Sequence, residues 1–198
     1  SALRCFEEGA QLVLTNAPVA LRMGEINNLA EQVNAPVIPC DVSSNEDVTS
    51  LFTKTMEHFG GGIDFVLHSI GMSINVRKGK HYTDIDYGFN AKSLDISAMS
   101  LHRMLATAMK MDAINEWGSV VALSYIAAQR VFPDYNEMAD AKALLESVTR
   151  SFGYHYGVKK HVRVNTISQS PVRTTAGSGV KGFDGFMEYA EKMSPLGN

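Results

Sequence analysis

The sequence predicts an α/β fold, a doubly wound parallel sheet with helices on both faces. Short apolar segments alternate with longer amphipathic segments along the chain, which is typical of strands alternating with helices. Residues 63–71 are apolar on both faces of a predicted strand, as in the buried strands of parallel sheets. Polar residues and glycines follow these segments at their carboxyl ends, where the ligands of such sheets bind.

The elements can be assigned in order from their start and stop signals. The chain opens in a helix that Gly9 ends, because glycine readily adopts the left-handed conformation that follows many helices. Ser44 and Asp47 indicate a helix start, and the glycines at 60–62 indicate its end. The predicted strands cover residues 11–16, 35–42, 63–71, 118–125 and 161–168, and the predicted helices cover residues 23–33, 46–59, 90–109, 135–156 and 183–192. No repeat or low-complexity tract separates them, so residues 1–198 are expected to form a single domain.

Composition and charge argue against several classes of function. The 198 residues carry a formal net charge of −3, so neither nucleic acid nor an anionic membrane surface is expected as a partner. No apolar run approaches the length of a membrane span, and membrane insertion is not expected. Two cysteines without metal-type spacing and six scattered histidines predict no metal site, and this cysteine use fits a reducing cytoplasm.

Tyr135 and Lys142 carry the most specific indication of chemistry. They lie seven residues apart on the predicted helix 135–156, and seven residues make about two turns, so both side chains are expected on one helix face. A phenol can donate a hydrogen bond to a carbonyl oxygen that gains negative charge. A nearby ammonium can favour that charge and hold a cofactor's hydroxyl groups. On its own such a pair is more often a coincidence, so its weight depends on the surrounding residues.

The other candidate residues follow predicted strands at the same edge of the sheet. They are Asp41 and Val42 after the second strand, residues 69–71 after the third, Tyr125 after the fourth, and residues 168–174 after the fifth. The convergence of several loops on one edge is harder to attribute to chance than any single motif.

In these motifs the chain resembles the short-chain dehydrogenase/reductase superfamily, and within it the bacterial enoyl-acyl-carrier-protein reductases. The spacing Tyr135-x6-Lys142, with Tyr125 ten residues upstream, is similar to the catalytic arrangement of that family, whereas most of the superfamily has Tyr-x3-Lys. The segments HSIG at 68–71, YNEMADAK at 135–142 and SPVRTTAGSG at 170–179 resemble other motifs of the family. The resemblance spans essentially the whole chain and implies a Rossmann-like fold.

The resemblance also implies a reaction, the reduction of a trans-2-enoyl thioester by NADH during fatty-acid elongation. The implied catalytic residues are Tyr125, Tyr135 and Lys142. The implied cofactor-binding residues are Asp41, Val42, Ser69, Ile70, Gly71, Lys142, Pro171, Val172 and Thr174. The implied substrate-binding residues are Met72, Tyr125, Met138, Ala176, Phe183 and Phe186.

Plainer interpretations of several of these residues stay open. Asp41 can cap the helix that follows it, a role compatible with contact to an adenine. Tyr125 can close the edge of the sheet without contacting a ligand. Phe183 and Phe186, three residues apart, can be ordinary core residues, and Met72 can be filler instead of a pocket wall.

The expected cofactor is NADH, with NADPH less favoured. The segment TNAPVALR after the first predicted strand holds no basic cluster for a 2′-phosphate, and Arg22 lies several residues beyond the strand. The resemblance further implies an enoyl substrate carried on acyl carrier protein, and a homotetramer.

Two alternative functions make different demands on the sequence. A ketoreductase needs Tyr-x3-Lys at the start of the helix after the fourth strand, and Tyr135 has Ala139 at that spacing. Tyr156 and Lys160 have the required spacing but lie at the end of the predicted helix, where lysines are favoured by the helix dipole. A non-catalytic protein on the same scaffold predicts loss of Tyr135 or Lys142, and both are present.

The family pattern extends beyond both ends of the chain. The chain lacks the family's first strand with its glycine-containing phosphate loop, and it lacks the last strand. It is therefore expected to be a fragment of a longer reductase.

Overall fold

The computed structural model describes residues 1–22, 24–132, 135–171 and 183–195. These residues form two compact units. The first comprises Ser1–Ile63 and Arg103–Ile114, and the second comprises Asp64–His102 and Asn115–Asn198. Helices and strands alternate through the described part of the chain, as the sequence predicts.

The first unit contains a two-stranded parallel sheet with short helices. Its strands pair in the register Leu14↔Val37, Thr15↔Ile38 and Asn16↔Pro39. The elements before the second unit are α1 Ala2–Glu7, β1 Leu14–Asn16, α2 Pro18–Leu21, α3 Glu25–Gln32, β2 Val37–Pro39 and α4 Asn45–Phe59. The sequence did not predict α2, a single turn that begins at Pro18, where proline suits the first helical position.

Helix α4 shows how local sequence sets its two ends. Ser44 is its N-cap, and the Ser44 hydroxyl accepts a hydrogen bond from the Asp47 N–H at 3.1 Å. Gly60 ends the helix in the left-handed conformation, with a φ of 68°. Val48 and Phe52, one turn apart on α4, are both buried, so this face of the helix contributes to the core of the unit.

The second unit is built on a three-stranded sheet in the order β3-β4-β5. Its last two strands are parallel, in a register from Ser119↔Arg163 to Ser124↔Ser168. The strands are β3 Ile63–His68, β4 Ile114–Ser124 and β5 Arg163–Ser168. The helices of the remaining chain are α5 Ile74–Arg77, α6 Tyr87–Leu94, α7 Ser100–Lys110, α8 Glu137–Lys160 and α9 Phe183–Met193.

One long helical run replaces the predicted helix 90–109. A π-helical segment, Asp95–Met99, joins α6 to α7. Such segments insert an extra residue into a helical turn and frequently occur at functional sites. Ser97 and Ala98 within it are buried, so the segment faces the interior.

The longest helix, α8, differs from its predicted bounds at both ends. It begins at Glu137 instead of residue 135 and continues to Lys160. His161, with a φ of 57°, ends it in the left-handed conformation. Tyr156 is 1% exposed near that end, about 30 Å along the helix from its first residue, Glu137, at 1.5 Å per residue. The pair Tyr156 and Lys160 therefore lies at the end of α8 remote from the other candidate residues.

Candidate active site

Tyr135 lies in a tight turn immediately before α8. The Met138 N–H donates to the Tyr135 carbonyl oxygen at 3.2 Å, and Asn136 has φ 46° and ψ −136°. These angles are those of the second residue of a type II′ turn, a position normally taken by glycine. The prediction that Tyr135 and Lys142 share a helix face is therefore wrong for Tyr135, because the conformation of Asn136 excludes the helix there.

Lys142 lies in the second turn of α8 and is 8% exposed. Its Nζ donates to the carbonyl oxygen of Leu123 in β4 at 2.7 Å. An ammonium carries three donors, so two N–H groups have no acceptor among the described residues. Burial lowers the pKa of Lys142 from 10.5 to about 8. The group can thus hold hydroxyl groups of a ligand and is charged at neutral pH.

The tyrosines at 125 and 135 form one aromatic contact. Their ring centroids are 5.0 Å apart with a 53° angle between the planes, and Phe132 extends the cluster at 5.4 Å from Tyr125. Burial, followed by the neighbouring Tyr125, raises the pKa of Tyr135 to about 12. Burial also raises the pKa of Tyr125. Tyr135 is therefore a protonated phenol at neutral pH and can donate a hydrogen bond.

The end of β3 contributes a buried histidine. His68 Nε2 lies 2.8 Å from the Ser100 hydroxyl oxygen, and that hydroxyl donates to the Ile96 carbonyl at 2.6 Å. Because the serine proton is engaged there, Nε2 is the protonated nitrogen of His68 and donates to Ser100. Burial, followed by the charge of Lys142, lowers the pKa of His68 to about 4. His68 is thus neutral at physiological pH.

Gly71, three residues after His68, lies beside Met138. A Cβ at Gly71 would meet only Met138 Cε, at an ordinary contact distance of 3.5 Å. The described part of the protein therefore does not itself require glycine at this position. Ser69 is exposed and Ile70 is half-buried.

Ser97 of the π-helical segment brings the two candidate pocket methionines together. The Met72 N–H donates to Ser97 Oγ at 2.9 Å, and Ser97 Oγ lies 3.8 Å from Met138 Sδ. Met72 is half-buried and Met138 is 8% exposed. Sequence reasoning missed Ser97, because its two partners lie 25 and 41 residues away in the chain.

Asp41 and Val42 lie in the first unit, in the loop after β2. The Asp41 carboxylate accepts from the Ser43 N–H at 2.9 Å and from the Ser43 hydroxyl at 2.6 Å. The Asp41 N–H donates to Asp47 Oδ2 at 2.8 Å, and the Val42 carbonyl accepts from Arg103 at 2.7 Å. Asp41 therefore stabilises the turn before α4 and does not cap the helix, whose N-cap is Ser44, and the Asp41 side chain is exposed.

Five of the predicted residues fall wholly or partly outside the described structure. Val172, Thr174 and Ala176 lie outside the described residues, and so do the side chains of Phe183 and Phe186 on α9. Pro171 is described and half-buried, three residues after the end of β5.

The structure adds residues that the sequence did not single out. Glu137, the first residue of α8, is 0% exposed, although nothing in its sequence context distinguishes it from a surface glutamate. Tyr189 of α9 contacts Phe132 with ring centroids 6.5 Å apart. The one sequence signal for Tyr189 was its place on a predicted helix that also contains Phe183 and Phe186.

The described part of the chain was expected to hold neither a metal site nor a membrane-spanning helix. Within it, no group of three or more histidine, cysteine, aspartate or glutamate residues could hold a metal ion. No helix within those same residues is long and apolar enough to cross a membrane.

The comparison with known proteins identifies the family. A family model described as enoyl-(acyl carrier protein) reductase matches residues 1–198. The chain belongs to the enoyl-acyl-carrier-protein reductase family. Among its relatives, the NADH reductase FabI of Rickettsia bellii is 35% identical over 192 residues, which cover 96% of this chain and 71% of the relative.

Solved structures of the reductase family match the fold. The crystal structure of the FabI–NADH complex from Alistipes finegoldii is similar with a TM-score of 0.97 and 63% identity, and the match covers 100% of this chain and 70% of that one. The NADH reductase of Aquifex aeolicus is similar with a TM-score of 0.89 and 33% identity, over 100% of this chain and 76% of that one. The predicted family and the Rossmann-like α/β fold are confirmed.

Proposed function

We propose that this member of the reductase family reduces the C2–C3 double bond of a trans-2-enoyl thioester with NADH. The observation that carries the proposal is the contact of a half-buried, protonated Tyr135 with Tyr125, together with a buried Lys142 that has two donors without an acceptor among the described residues. The relatives in Rickettsia bellii and Aquifex aeolicus are NADH-dependent reductases of this class, and the Alistipes finegoldii structure is an NADH complex.

Tyr135 is proposed as the donor to the thioester oxygen. When a hydride reaches the β-carbon, the electron pair of the double bond moves toward the thioester and negative charge builds on its oxygen. A phenol with a pKa of about 12 keeps its proton until that charge develops, so the hydrogen bond strengthens in the transition state. The resulting enolate then takes a proton at C2. Tyr125 is proposed to pack against the substrate and to hold the Tyr135 ring in place.

Lys142 is proposed to bind the ribose of the cofactor. The cofactor supplies the hydride when it is bound. The two N–H groups of Lys142 that have no acceptor in the described part of the chain fit a pair of ribose hydroxyls, and its positive charge lowers the free energy of the enolate. The hydrogen bond to Leu123 fixes the direction of the ammonium before the ligand arrives.

The remaining cofactor contacts are proposed from the loops that follow the strands. Asp41 is proposed to accept a hydrogen bond from the adenine, with Val42 packed on the ring. The other proposed cofactor contacts are Ser69, Ile70, Gly71, Pro171, Val172 and Thr174. The exposure of the Asp41 carboxylate supports the proposed adenine contact.

The acyl chain of the substrate is proposed to lie against apolar side chains. These are Met72, Tyr125, Met138, Ala176, Phe183 and Phe186. The Ser97 contacts that join Met72 to Met138 support this proposal. The substrate is proposed to arrive on acyl carrier protein, and the enzyme is proposed to act as a cytoplasmic homotetramer.

The reaction class is tested by following NADH absorbance with the full-length protein. A 2-enoyl thioester is expected to be reduced, and a 3-ketoacyl thioester is not. Turnover of the ketoacyl substrate alone would refute the proposed reaction, and absence of turnover on both would favour a non-catalytic protein.

The role of Tyr135 is tested by Tyr135→Phe, which removes only the phenolic oxygen. We expect kcat to fall by about 10²–10³, the usual effect of losing one preorganised donor to a developing oxyanion. Tyr154→Phe makes the same change at an exposed position of α8 and should leave kcat unchanged. An unaltered kcat in Tyr135→Phe would show that another group stabilises the enolate.

A further inference from the structure

Glu137 belongs to a buried polar network beside the candidate active site. Glu137 is 0% exposed, and its Oε1 accepts from the Ser73 hydroxyl at 2.5 Å. Oε1 also lies 3.3 Å from the Ser93 hydroxyl oxygen, whose proton is directed at the Phe89 carbonyl oxygen 2.9 Å away. The other oxygen, Oε2, is buried without a hydrogen-bond partner among the described residues. Burying a carboxyl with one unpaired oxygen is unfavourable, and an apolar side chain of similar size would fill the space at lower cost.

The network joins three elements at one point. Ser73 is the N-cap of α5, where its oxygen accepts the Val76 N–H at 3.0 Å while its proton goes to Glu137. Ser93 lies on α6 and is also buried. Glu137 is the first residue of α8. The carboxyl therefore fixes the start of α8 against α5 and α6.

The backbone next to Glu137 is strained. Asn136 has a φ of 46° and a ψ of −136°, angles that a residue with a side chain rarely adopts. The Asn136 side-chain amide donates to the Lys80 carbonyl, which ties the turn to the loop after α5. A strained conformation persists only where its surroundings hold it on both sides. Lys80 holds Asn136 on one side, and the buried Glu137 holds it on the other.

We infer that Glu137 is a positioning residue that, through Ser73 and Ser93, sets the turn carrying Tyr135 and so places its phenol against the substrate oxygen. The inference rests on the proposed function, since it assigns Glu137 an effect that is exerted through Tyr135. Glu137 contacts neither substrate nor cofactor in this scheme. Its effect is expected on kcat and not on the KM for NADH.

Two substitutions of similar volume separate hydrogen bonding from packing. Glu137→Gln keeps a carbonyl oxygen that can accept from the Ser73 hydroxyl. Glu137→Met fills the space and removes the acceptor, which leaves the Ser73 hydroxyl without its partner. We expect Glu137→Met to lower kcat on a 2-enoyl thioester by about 10- to 100-fold, the range for a misplaced reacting group, with the KM for NADH unchanged. Glu137→Gln should retain most of the wild-type kcat.

The same substitutions in a Tyr135→Phe background test whether the effect passes through Tyr135. In that case Glu137→Met should change kcat by less than about twofold in the Tyr135→Phe background, because the phenolic oxygen that Glu137 positions is already absent. An equal loss of kcat in both backgrounds, or a wild-type kcat for Glu137→Met, would overturn the inference. Should the Met variant fail to fold, Ser73→Ala removes the hydroxyl that donates to Glu137 and allows the same comparison.

The outcomes distinguish this inference from the proposed function. If Tyr135→Phe alone leaves kcat unchanged, the catalytic role of Tyr135 fails, and the inference fails with it. If Tyr135→Phe lowers kcat and Glu137→Met does not, the proposed function stands and the positioning role alone is refuted.

Discussion

At the scale of single residues, burial lowers the pKa of Lys142 into the pH range in which enzymes work. Its pKa of about 8 lies well below the usual 10.5, because the buried site disfavours the charged form. The proposed ribose contact and the stabilisation of the enolate both need the ammonium. Above pH 8 most of the amine is uncharged, so both the ribose contact and the stabilisation of the enolate are weakened.

We therefore predict that kcat/KM for NADH falls as the pH rises through about 8, since this ratio reports the ionisation of the free enzyme. Initial rates between pH 6.5 and 9.5 check the prediction. Lys142→Met is the matched control, because it should have a low rate with no fall centred on this pH. A wild-type ratio that stays constant to pH 9.5 would contradict the assigned ionisation.

The same residues show what sequence can predict at this scale. The types and spacing of Tyr125, Tyr135 and Lys142 indicate the candidate site from the sequence alone. Glu137 could not be found in this way, because its burial depends on Ser73 and Ser93, which lie 64 and 44 residues away in the chain. The roles of the predicted site residues stay predictions, although the structure brings several of them into contact.

At the scale of elements, local signals predicted some helix ends and missed others. Helix α4 begins after Ser44 and ends at Gly60, as expected, because a capping hydroxyl and a left-handed glycine act through neighbouring residues. The predicted start of α8, residue 135, was wrong by two residues. Asparagine at 136 does not by itself reveal a positive φ, and contacts remote in sequence impose it. Helix α5 was missed because a single turn of four residues has too short a pattern to recognise.

The cap of α4 gives a prediction for stability. Ser44→Ala removes the acceptor for the Asp47 N–H and is expected to lower the free energy of unfolding by about 1 kcal/mol. Urea unfolding should show a lower midpoint with an unchanged slope. Ser44→Asn keeps a side-chain acceptor and serves as the control, expected to lie close to wild type. Equal midpoints for the Ala and Asn variants would show that the cap contributes nothing measurable.

At the scale of the whole molecule, the alternation of helices and strands was enough to predict the fold. Apolar segments of strand length, each followed by polar residues, are a repeated local signal, and the match to the Alistipes finegoldii structure confirms the fold they indicate. The grouping of strands into a two-stranded and a three-stranded sheet could not be predicted as readily. Pairing is set by contacts between segments remote in sequence, as between β4 and β5, and no local pattern encodes it.

The buried His68 links the stability of the folded chain to pH. Its pKa is about 4 in the folded state and near 6.5 once unfolding exposes the ring to water. Between these values the unfolded chain binds a proton that the folded chain does not, so the free energy of unfolding falls as the pH drops from 6.5 to 4. A shift of this size corresponds to a loss of about 3 kcal/mol, complete below pH 4.

Replacing the imidazole by an uncharged side chain should abolish this contribution. We predict that His68→Leu is less sensitive to acid than wild type, because leucine binds no proton and the Ser100 hydroxyl keeps its bond to Ile96. Urea unfolding of both proteins at pH 7.5, 6, 5 and 4.5 measures the effect. The difference in unfolding free energy should move in favour of the variant as the pH falls, whereas a constant difference would place the acid sensitivity in other groups.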